Sequence, residues 1–254
     1  MDLGLAGKRA LVTGSTKGIG RGIVETLLAE GASVAICARD ADGVAAAVAE
    51  LNGLGKGKVW GAAVDAGDPE SLRSFVAGAI ENLGGLDIYV HNTSGKPGKT
   101  FEAWEANFRI DLMALVQGVD AAAEALSAGD GGALISIGTT AAGEHFASGA
   151  NSYSAFKAAV TNWTLGQAQV LGPKGIRCNV VSPGPIWVDG GDWNKVKDGR
   201  PEFFAATEKT HPGGRIGQVQ DVANAVAFLS SPAAGHINGA NLTVDGGYMK
   251  RVNY

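Results

Sequence analysis

Tyr153 and Lys157 stand four residues apart in Ser152-Tyr153-Ser154-Ala155-Phe156-Lys157, inside a stretch, residues 151–171, that reads as a helix. Side chains at i and i+4 of a helix leave the same face one turn apart. The phenol and the ammonium are therefore expected side by side. A free tyrosine, with a pKa of about 10, is a poor acid or base at neutral pH. A fixed cation beside it favours the phenolate and draws that pKa towards the working range. Such a pair could move a proton to or from an oxygen atom. A surface tyrosine and a solvated lysine would leave the same pattern, so its meaning depends on the elements that hold it.

Those elements alternate. Residues 9–13, 33–38, 59–64, 86–90, 133–137, 175–181 and 241–244 read as strands. Residues 19–30, 42–51, 70–83, 104–126, 151–171 and 221–229 read as helices. The strand runs are short, mostly continuous and apolar, which fits a sheet covered on both faces. Regular alternation of strand and helix argues a parallel, doubly wound sheet in a three-layer α/β/α arrangement. No linker or charge block divides the chain, so residues 1–254 are expected to form one domain. Only the stretch between residues 185 and 217 lacks a clean period, and a loop that long in a compact domain is usually functional. It is expected to act as a substrate lid around residues 186–215.

Composition narrows the function classes. With 45% hydrophobic and 18% charged residues the chain is an ordinary globular one. A net charge of −4 and no basic run longer than Lys8-Arg9 speak against a nucleic-acid partner. Cys37 and Cys178 sit in apolar strands and read as buried thiols, with no metal site implied. The first residues lack a signal-peptide pattern and no long apolar run suggests a membrane span. A soluble, cytoplasmic protein is expected.

The first strand runs into Thr13-Gly14-Ser15-Thr16-Lys17-Gly18-Ile19-Gly20 and then a helix. Glycines permit a tight turn and close backbone approach, and the helix N-terminus offers free N–H groups and the positive dipole end. Strand, turn and helix in this order make a dinucleotide pyrophosphate cradle. The end of the second strand sorts the cofactor. An acidic residue there would bind the ribose 2′-hydroxyl of NAD. The chain has Cys37-Ala38-Arg39 instead, with Asp40 next. Arg39 and Lys17 could both meet a 2′-phosphate, so NADP(H) is preferred, while Asp40 leaves NAD(H) open.

With the glycine turn, the alternating units and the YxxxK pair in order, the whole chain resembles the short-chain dehydrogenase/reductase family, with its Rossmann-like sheet, and is similar to bacterial 3-oxoacyl-carrier-protein reductases. The resemblance runs from Gly7-Lys8-Arg9-Ala10-Leu11-Val12-Thr13-Gly14 to Leu242-Thr243-Val244-Asp245-Gly246-Gly247. It implies that Val64 and Asp65 meet the adenine. It also implies that Asn92, Thr93 and Ser94, in His91-Asn92-Thr93-Ser94-Gly95, take the place of the family's Asn-Asn-Ala-Gly turn. Asn92 fits that pattern, while His91 and the Thr93-Ser94 pair depart from it, with Gly95 a displaced glycine; His91 reads as a packed turn histidine. Pro183 and Gly184 would lie along the nicotinamide, with Ile186 and Val188 near its carboxamide. Trp187, Trp193, Phe203 and Phe204 would make the lid apolar or simply pack within it.

Two departures touch the centre. The family's serine after the fifth strand is replaced by Gly138-Thr139-Thr140-Ala141-Ala142. Counting from the strand selects Thr139, and counting back from Tyr153 selects Thr140. Thr139 is favoured, because an insertion in the following loop is easier to accommodate than one in a strand. Asp111 stands where the family has an asparagine that supports a water chain to the lysine. Its charge would raise the pKa of Lys157 and offset part of that lysine's effect on Tyr153.

The resemblance therefore implies an NADP(H)-dependent oxidoreductase interconverting a ketone and a secondary alcohol. Tyr153 would be the acid/base, and Lys157 would activate it and hold the nicotinamide ribose, so that both also belong to the cofactor site, with Thr139 or Thr140 on the carbonyl oxygen and Asp111 in the relay. The partners implied are a small carbonyl or alcohol substrate and other copies of the chain, as a homotetramer. An NAD-dependent secondary-alcohol dehydrogenase is the alternative. A nucleotide-binding sensor or scaffold without turnover is a third reading, which the intact Tyr153–Lys157 pair disfavours.

Overall fold

A computed structural model of the chain describes residues 2–54, 57–145 and 149–251. Its strands are β1 (Arg9–Val12), β2 (Ser33–Ala38), β3 (Val59–Ala63), β4 (Ile88–His91), β5 (Gly132–Ile137), β6 (Ile176–Pro183), β7 (Ile186–Trp187), β8 (Gly217–Gln218) and β9 (Asn241–Val244). Seven of them form a parallel central sheet in the order β3-β2-β1-β4-β5-β6-β9. A separate parallel pair joins β7 to β8.

Side-chain alternation along each strand divides the core in two. Ala10 and Val12 of β1, Val34 and Ile36 of β2, and Ile88 and Val90 of β4 face one layer, built with α1 (Gly18–Ala29), α2 (Ala41–Asn52) and α9 (Val219–Ser230). Leu11, Ala35, Cys37 and Tyr89 face the other, built with α3 (Pro69–Leu83), α5 (Ala114–Ser127) and α6 (Ser152–Leu171). This is the expected three-layer, doubly wound fold. Burial pushes both thiols, Cys37 and Cys178, up to about 12, as inert core groups require.

Local chemistry explains where helices begin and end. Asp68 accepts from Glu70 N at 3.0 Å ahead of Pro69, and Gly84 closes α3 at φ 75°. Asn151 accepts from Ser154 N at 3.0 Å and so starts the tyrosine helix one residue later than expected. Between α5 and the sheet, a Cβ on Gly118 would be driven into the Tyr89 hydroxyl, itself buried without a partner. Gly118→Ala is thus expected to cost about 1–3 kcal/mol by overpacking. Tyr89→Phe should restore most of that loss, since it removes the clash and an unpaired polar atom. Urea unfolding midpoints of the single and double variants check this.

Two expectations need correction. The long helix expected over residues 104–126 is three segments: α4 (Phe101–Asn107), a π-helical stretch (Phe108–Met113) and α5. A π-turn inserts one extra residue into the helical ladder and tends to mark functional positions; here it carries Asp111. The stretch expected as a lid, residues 186–215, is not structureless either. It holds α7 (Asp192–Gly199) and α8 (Pro201–Thr210), separated where Pro201 opens a new first turn. Its aromatic residues pack on one another, with Trp193 stacked on Phe203 at 6.3 Å and Trp187 edge-on to Phe204 at 5.9 Å.

Candidate active site

In an open parallel sheet, ligands bind beyond the carboxyl ends of the strands where the strand order reverses. That reversal lies between β1 and β4. The turns after the two strands are tied together there. Thr13 Oγ1 accepts from the backbone N–H groups of Asn92 and Thr93 at 3.0 and 3.1 Å. Asn92 Nδ2 donates to the Thr13 and Gly14 carbonyls at 3.1 and 2.8 Å. Gly14 takes φ 61°, and a Cβ on Gly20 would collide with the Gly14 carbonyl and the Asn92 amide.

This cradle has open donors. No side chain caps the α1 N-terminus at Lys17, and Thr93 Oγ1 is buried without a partner against the glycine turn. Thr16, Gly18 and Ile19 complete the turn, and Val188, just after β7, lies over Gly18. A pyrophosphate at this helix N-terminus fits these features. Lys17 and Arg39 are both exposed. Asp40 occupies the N-cap position of α2, where a negative charge suits the helix dipole. Asp65 is exposed beyond β3, its Oδ1 accepting from Gly67 N at 2.9 Å, and Val64 is buried beside it.

Ser15 departs from expectation. Its hydroxyl donates to Val12 O at 2.7 Å and accepts from Cys37 N at 3.1 Å, and its own N–H goes to Cys37 O. Every polar group before its carbonyl is spent on joining β1 to β2, so Ser15 shapes the turn and has no donor left for a ligand. Pro183 ends β6 and is buried, and Gly184 packs so tightly on Asp245 that no Cβ would fit. The Ile186 side chain is buried in the core.

The second half of the site lies around α6. Tyr153 is half-buried at the floor of a cleft of about 720 Å³ whose walls include Trp104, Ala141, Ala142, Ala155, Lys99 and Arg251. Thr139 hydrogen-bonds the phenol and caps the turn after β5, accepting from Ala141 N at 3.2 Å. Thr140 is instead buried in that turn. Of the two threonines, Thr139 is the one brought to Tyr153. Residues 146–148 of the following loop lie outside the described residues.

Lys157 is sealed from solvent. Its Nζ donates to Ile137 O at 2.8 Å and lies 3.5 Å from Asp111 Oδ1. The carboxylate is fully buried and accepts from Ser94 Oγ, from Gly95 N at 3.0 Å and from Asn107 Nδ2 at 2.6 Å. His91 Nε2 donates to the Asp111 carbonyl at 3.0 Å, and burial next to Lys157 holds this imidazole down at about 3. It is neutral and packed, as its position suggested.

The electrostatics correct one expectation. Burial lowers the pKa of Lys157, and Asp111 opposes that shift, as its charge should. Tyr153, however, is raised, first by burial and then by the charges of Asp111 and Asp192; the Thr139 hydrogen bond is the influence that lowers it. The ammonium is not among the influences that set the phenol, and Asp111, lying against it, adds a negative charge that raises the phenol further. The tyrosine is therefore held in its protonated form. Several participants carried no signal in the sequence: Asn107 and Ser152 have no motif, and Trp104, Lys99 and Arg251 reach the cleft from remote segments.

Comparison with known proteins finds relatives over the whole length of the chain. The family model described as Enoyl-(Acyl carrier protein) reductase matches residues 14–249. Isoepoxydon dehydrogenase of Penicillium expansum is 35% identical over 97% of this chain and 96% of its own. The 3-oxoacyl-[acyl-carrier-protein] reductase FabG of Vibrio cholerae is 32% identical over 97% of this chain and 100% of its own. A short-chain dehydrogenase from Burkholderia cenocepacia, solved in complex with NADP, superposes with a TM-score of 0.86 at 37% identity, covering 96% of this chain and 98% of that one. The glycine cradle, the tyrosine helix and these full-length matches lead to one conclusion: the chain is an oxidoreductase of the short-chain dehydrogenase/reductase family.

Proposed function

We propose that the protein interconverts a ketone and a secondary alcohol with NADP(H), and that it is built for the reducing direction. The observation that carries this is the Tyr153 phenol, half-buried at the cleft floor, bonded to Thr139 and kept protonated by burial and by Asp111. When bound, the nicotinamide would supply or accept the hydride. The chain's own residues do the rest. Tyr153 gives its proton to the carbonyl oxygen, and Thr139 steers that oxygen towards the phenol. Lys157 provides a fixed positive charge behind them. Trp104 and the alanines of the cleft keep water from the reacting oxygen.

The cofactor preference rests on Arg39 and Lys17, two exposed cations at the ends of the turns after β2 and β1, and is supported by the NADP-bound relative. Arg39→Ala is expected to raise KM for NADPH by about tenfold, roughly the value of one charge-assisted phosphate contact, and to leave KM for NADH nearly unchanged. Initial rates with both cofactors test this. A homotetramer is part of the same reading: Phe101, 73% exposed, and Phe108, 44% exposed, form an apolar face on α4 and the π-turn that neighbouring copies would cover. Light scattering of the purified protein checks it.

The pH dependence has a definite sign. Reduction needs the phenol and oxidation needs the phenolate. Because the Tyr153 pKa is raised, reduction should persist through neutral pH into the alkaline range, while alcohol oxidation should climb with pH over the same span. A panel of ketones and secondary alcohols, followed by NADPH absorbance across pH, tests the function and its direction together. Oxidation that is fastest near neutral pH and reduction that fails there would contradict it.

A further inference from the structure

Neither the acid–base pair nor the cofactor cradle accounts for Asn107, a fully buried side chain one turn before Asp111. Its Nδ2 donates to Asp111 Oδ2 at 2.6 Å, and its Oδ1 accepts from Ser152 Oγ at 2.6 Å. Ser152 Oγ in turn accepts from Gly98 N at 3.2 Å. The amide orientation follows from these partners. Turned over, its oxygen would face a carboxylate, acceptor against acceptor. Asn107 thus links three segments: the π-turn bearing Asp111, the first residue of the tyrosine helix, and the loop after β4.

We propose that Asn107 is a positioning residue for the acid–base pair: it pins Asp111 Oδ2, so that Oδ1 stays on Lys157 and the lysine remains charged behind Tyr153. This rests on the reading of Tyr153 and Lys157 given above. A buried ammonium tends to shed its proton, and Asp111 is the carboxylate that opposes this. Ser94 Oγ already shares Oδ1 with the ammonium and Gly95 N shares Oδ2 with Asn107, both donors lying in the loop after β4. Without Asn107 no donor from the α4 side holds the carboxylate against that loop, and its shift towards the loop leaves the ammonium with Ile137 O. The other titratable and charged groups facing the pair offer no substitute. His91 from β4 is neutral and donates to the Asp111 carbonyl, Tyr153 on α6 is protonated, and Asp192 from α7 acts on Tyr153. The neutral side chain that the family places at position 111 is, in effect, found here at 107, with a carboxylate set between it and the lysine.

Two variants test this on the NADPH-loaded enzyme, with kcat and KM for carbonyl reduction measured across pH. Asn107→Leu keeps the shape without the polar atoms. It is expected to lower kcat about tenfold and to move the alkaline limb of the kcat profile down by about one pH unit, with KM for the ketone little changed. Asn107→Asp is the isosteric arm and needs no repacking. Two carboxyl groups this close share a proton, so at acid pH the introduced carboxyl can donate to Asp111 as the amide did. Its kcat should approach the parent value at low pH and fall through an ionisation that the parent lacks. A residue that only fills space would give a leucine variant with a reduced but unshifted profile and an aspartate variant with no new ionisation; either result overturns the proposal. Should the leucine variant fail to fold by circular dichroism, the aspartate variant decides alone. Tyr153→Phe, run beside them, separates the two readings. If it is inactive at every pH while the Asn107 profiles do not shift, the positioning role fails and the acid–base reading stands. If it keeps full activity, the acid–base reading fails, and this proposal with it.

Discussion

Tyr153→Phe is expected to bind NADPH as tightly as the parent enzyme and to reduce ketones at least ~10²-fold more slowly. The substitution removes one oxygen and leaves the ring in place at the cleft floor. Binding should be insensitive to it, because the cradle proposed for the pyrophosphate is built by the turns after β1 and β4, on other elements. Turnover should not be, because Tyr153 is the phenol that Thr139 meets, and neither polar group behind it can take its place. His91 is buried and neutral, and Lys157 is committed to Ile137 O and Asp111. Fluorescence titration with NADPH together with steady-state rates separates the two effects. Thr139→Ser should keep most of the activity, since it retains the hydroxyl that meets the phenol. A phenylalanine variant that turns over at the parent rate would remove Tyr153 from the chemistry.

Lys157→Met should be costly in a second way. The ammonium and the Asp111 carboxylate are both shut off from solvent, at 1% and 0% exposure. Removing one partner of a buried pair leaves the other charged and uncompensated, a loss of about 3–5 kcal/mol. The variant should therefore unfold at markedly lower urea as well as lose turnover. Adding Asp111→Asn removes the stranded charge. The double variant should recover much of the stability while remaining inactive, so that stability and activity part company. If Lys157→Met were as stable as the parent, Asp111 would not be the charged partner described here. Asp111→Asn alone strands the ammonium instead, and its loss of stability is expected to be smaller because a buried amine can shed its proton. Its sign on the pH profile follows from the influence of Asp111 on Tyr153: with that negative charge gone, the phenol pKa falls and alcohol oxidation gains at lower pH.

Much of this molecule could be read before any coordinates. The strands announce themselves as continuous apolar runs because both faces of the sheet are covered, and the glycine turn because close backbone contact leaves no room for a Cβ at Gly20. What stayed hidden depended on contacts across distant segments. The i, i+4 spacing put Tyr153 and Lys157 on one face, yet could not say that the ammonium would be claimed by Asp111 and Ile137 O. Ser15 stands in the glycine turn by sequence but spends its polar groups on β1 and β2. The helices within residues 192–210 escaped notice because each is short and Pro201 parts them, leaving too few turns for a period to show. Nothing in Phe108-Arg109-Ile110-Asp111-Leu112-Met113 marks a break in the helix, since these residues suit an ordinary helical turn.

That break deals with a problem of phase. Each residue advances a helix by about 100°, so one chain segment ordinarily presents a single stripe inward. The segment from Phe101 to Ser127 must satisfy two clients that do not lie in line. Its first part shows Trp104 to the cleft and Asn107 to the tyrosine helix, and its last part lays Leu115, Val119 and Ala122 on the sheet. The wide turn resets the angle between those stripes and leaves Asp111 facing Lys157 at the join. Deleting one residue from residues 108–113 would restore a regular ladder and yet rotate one stripe away from its client. The cleft and the hydrophobic core of this oxidoreductase are thus kept in register by a single surplus residue.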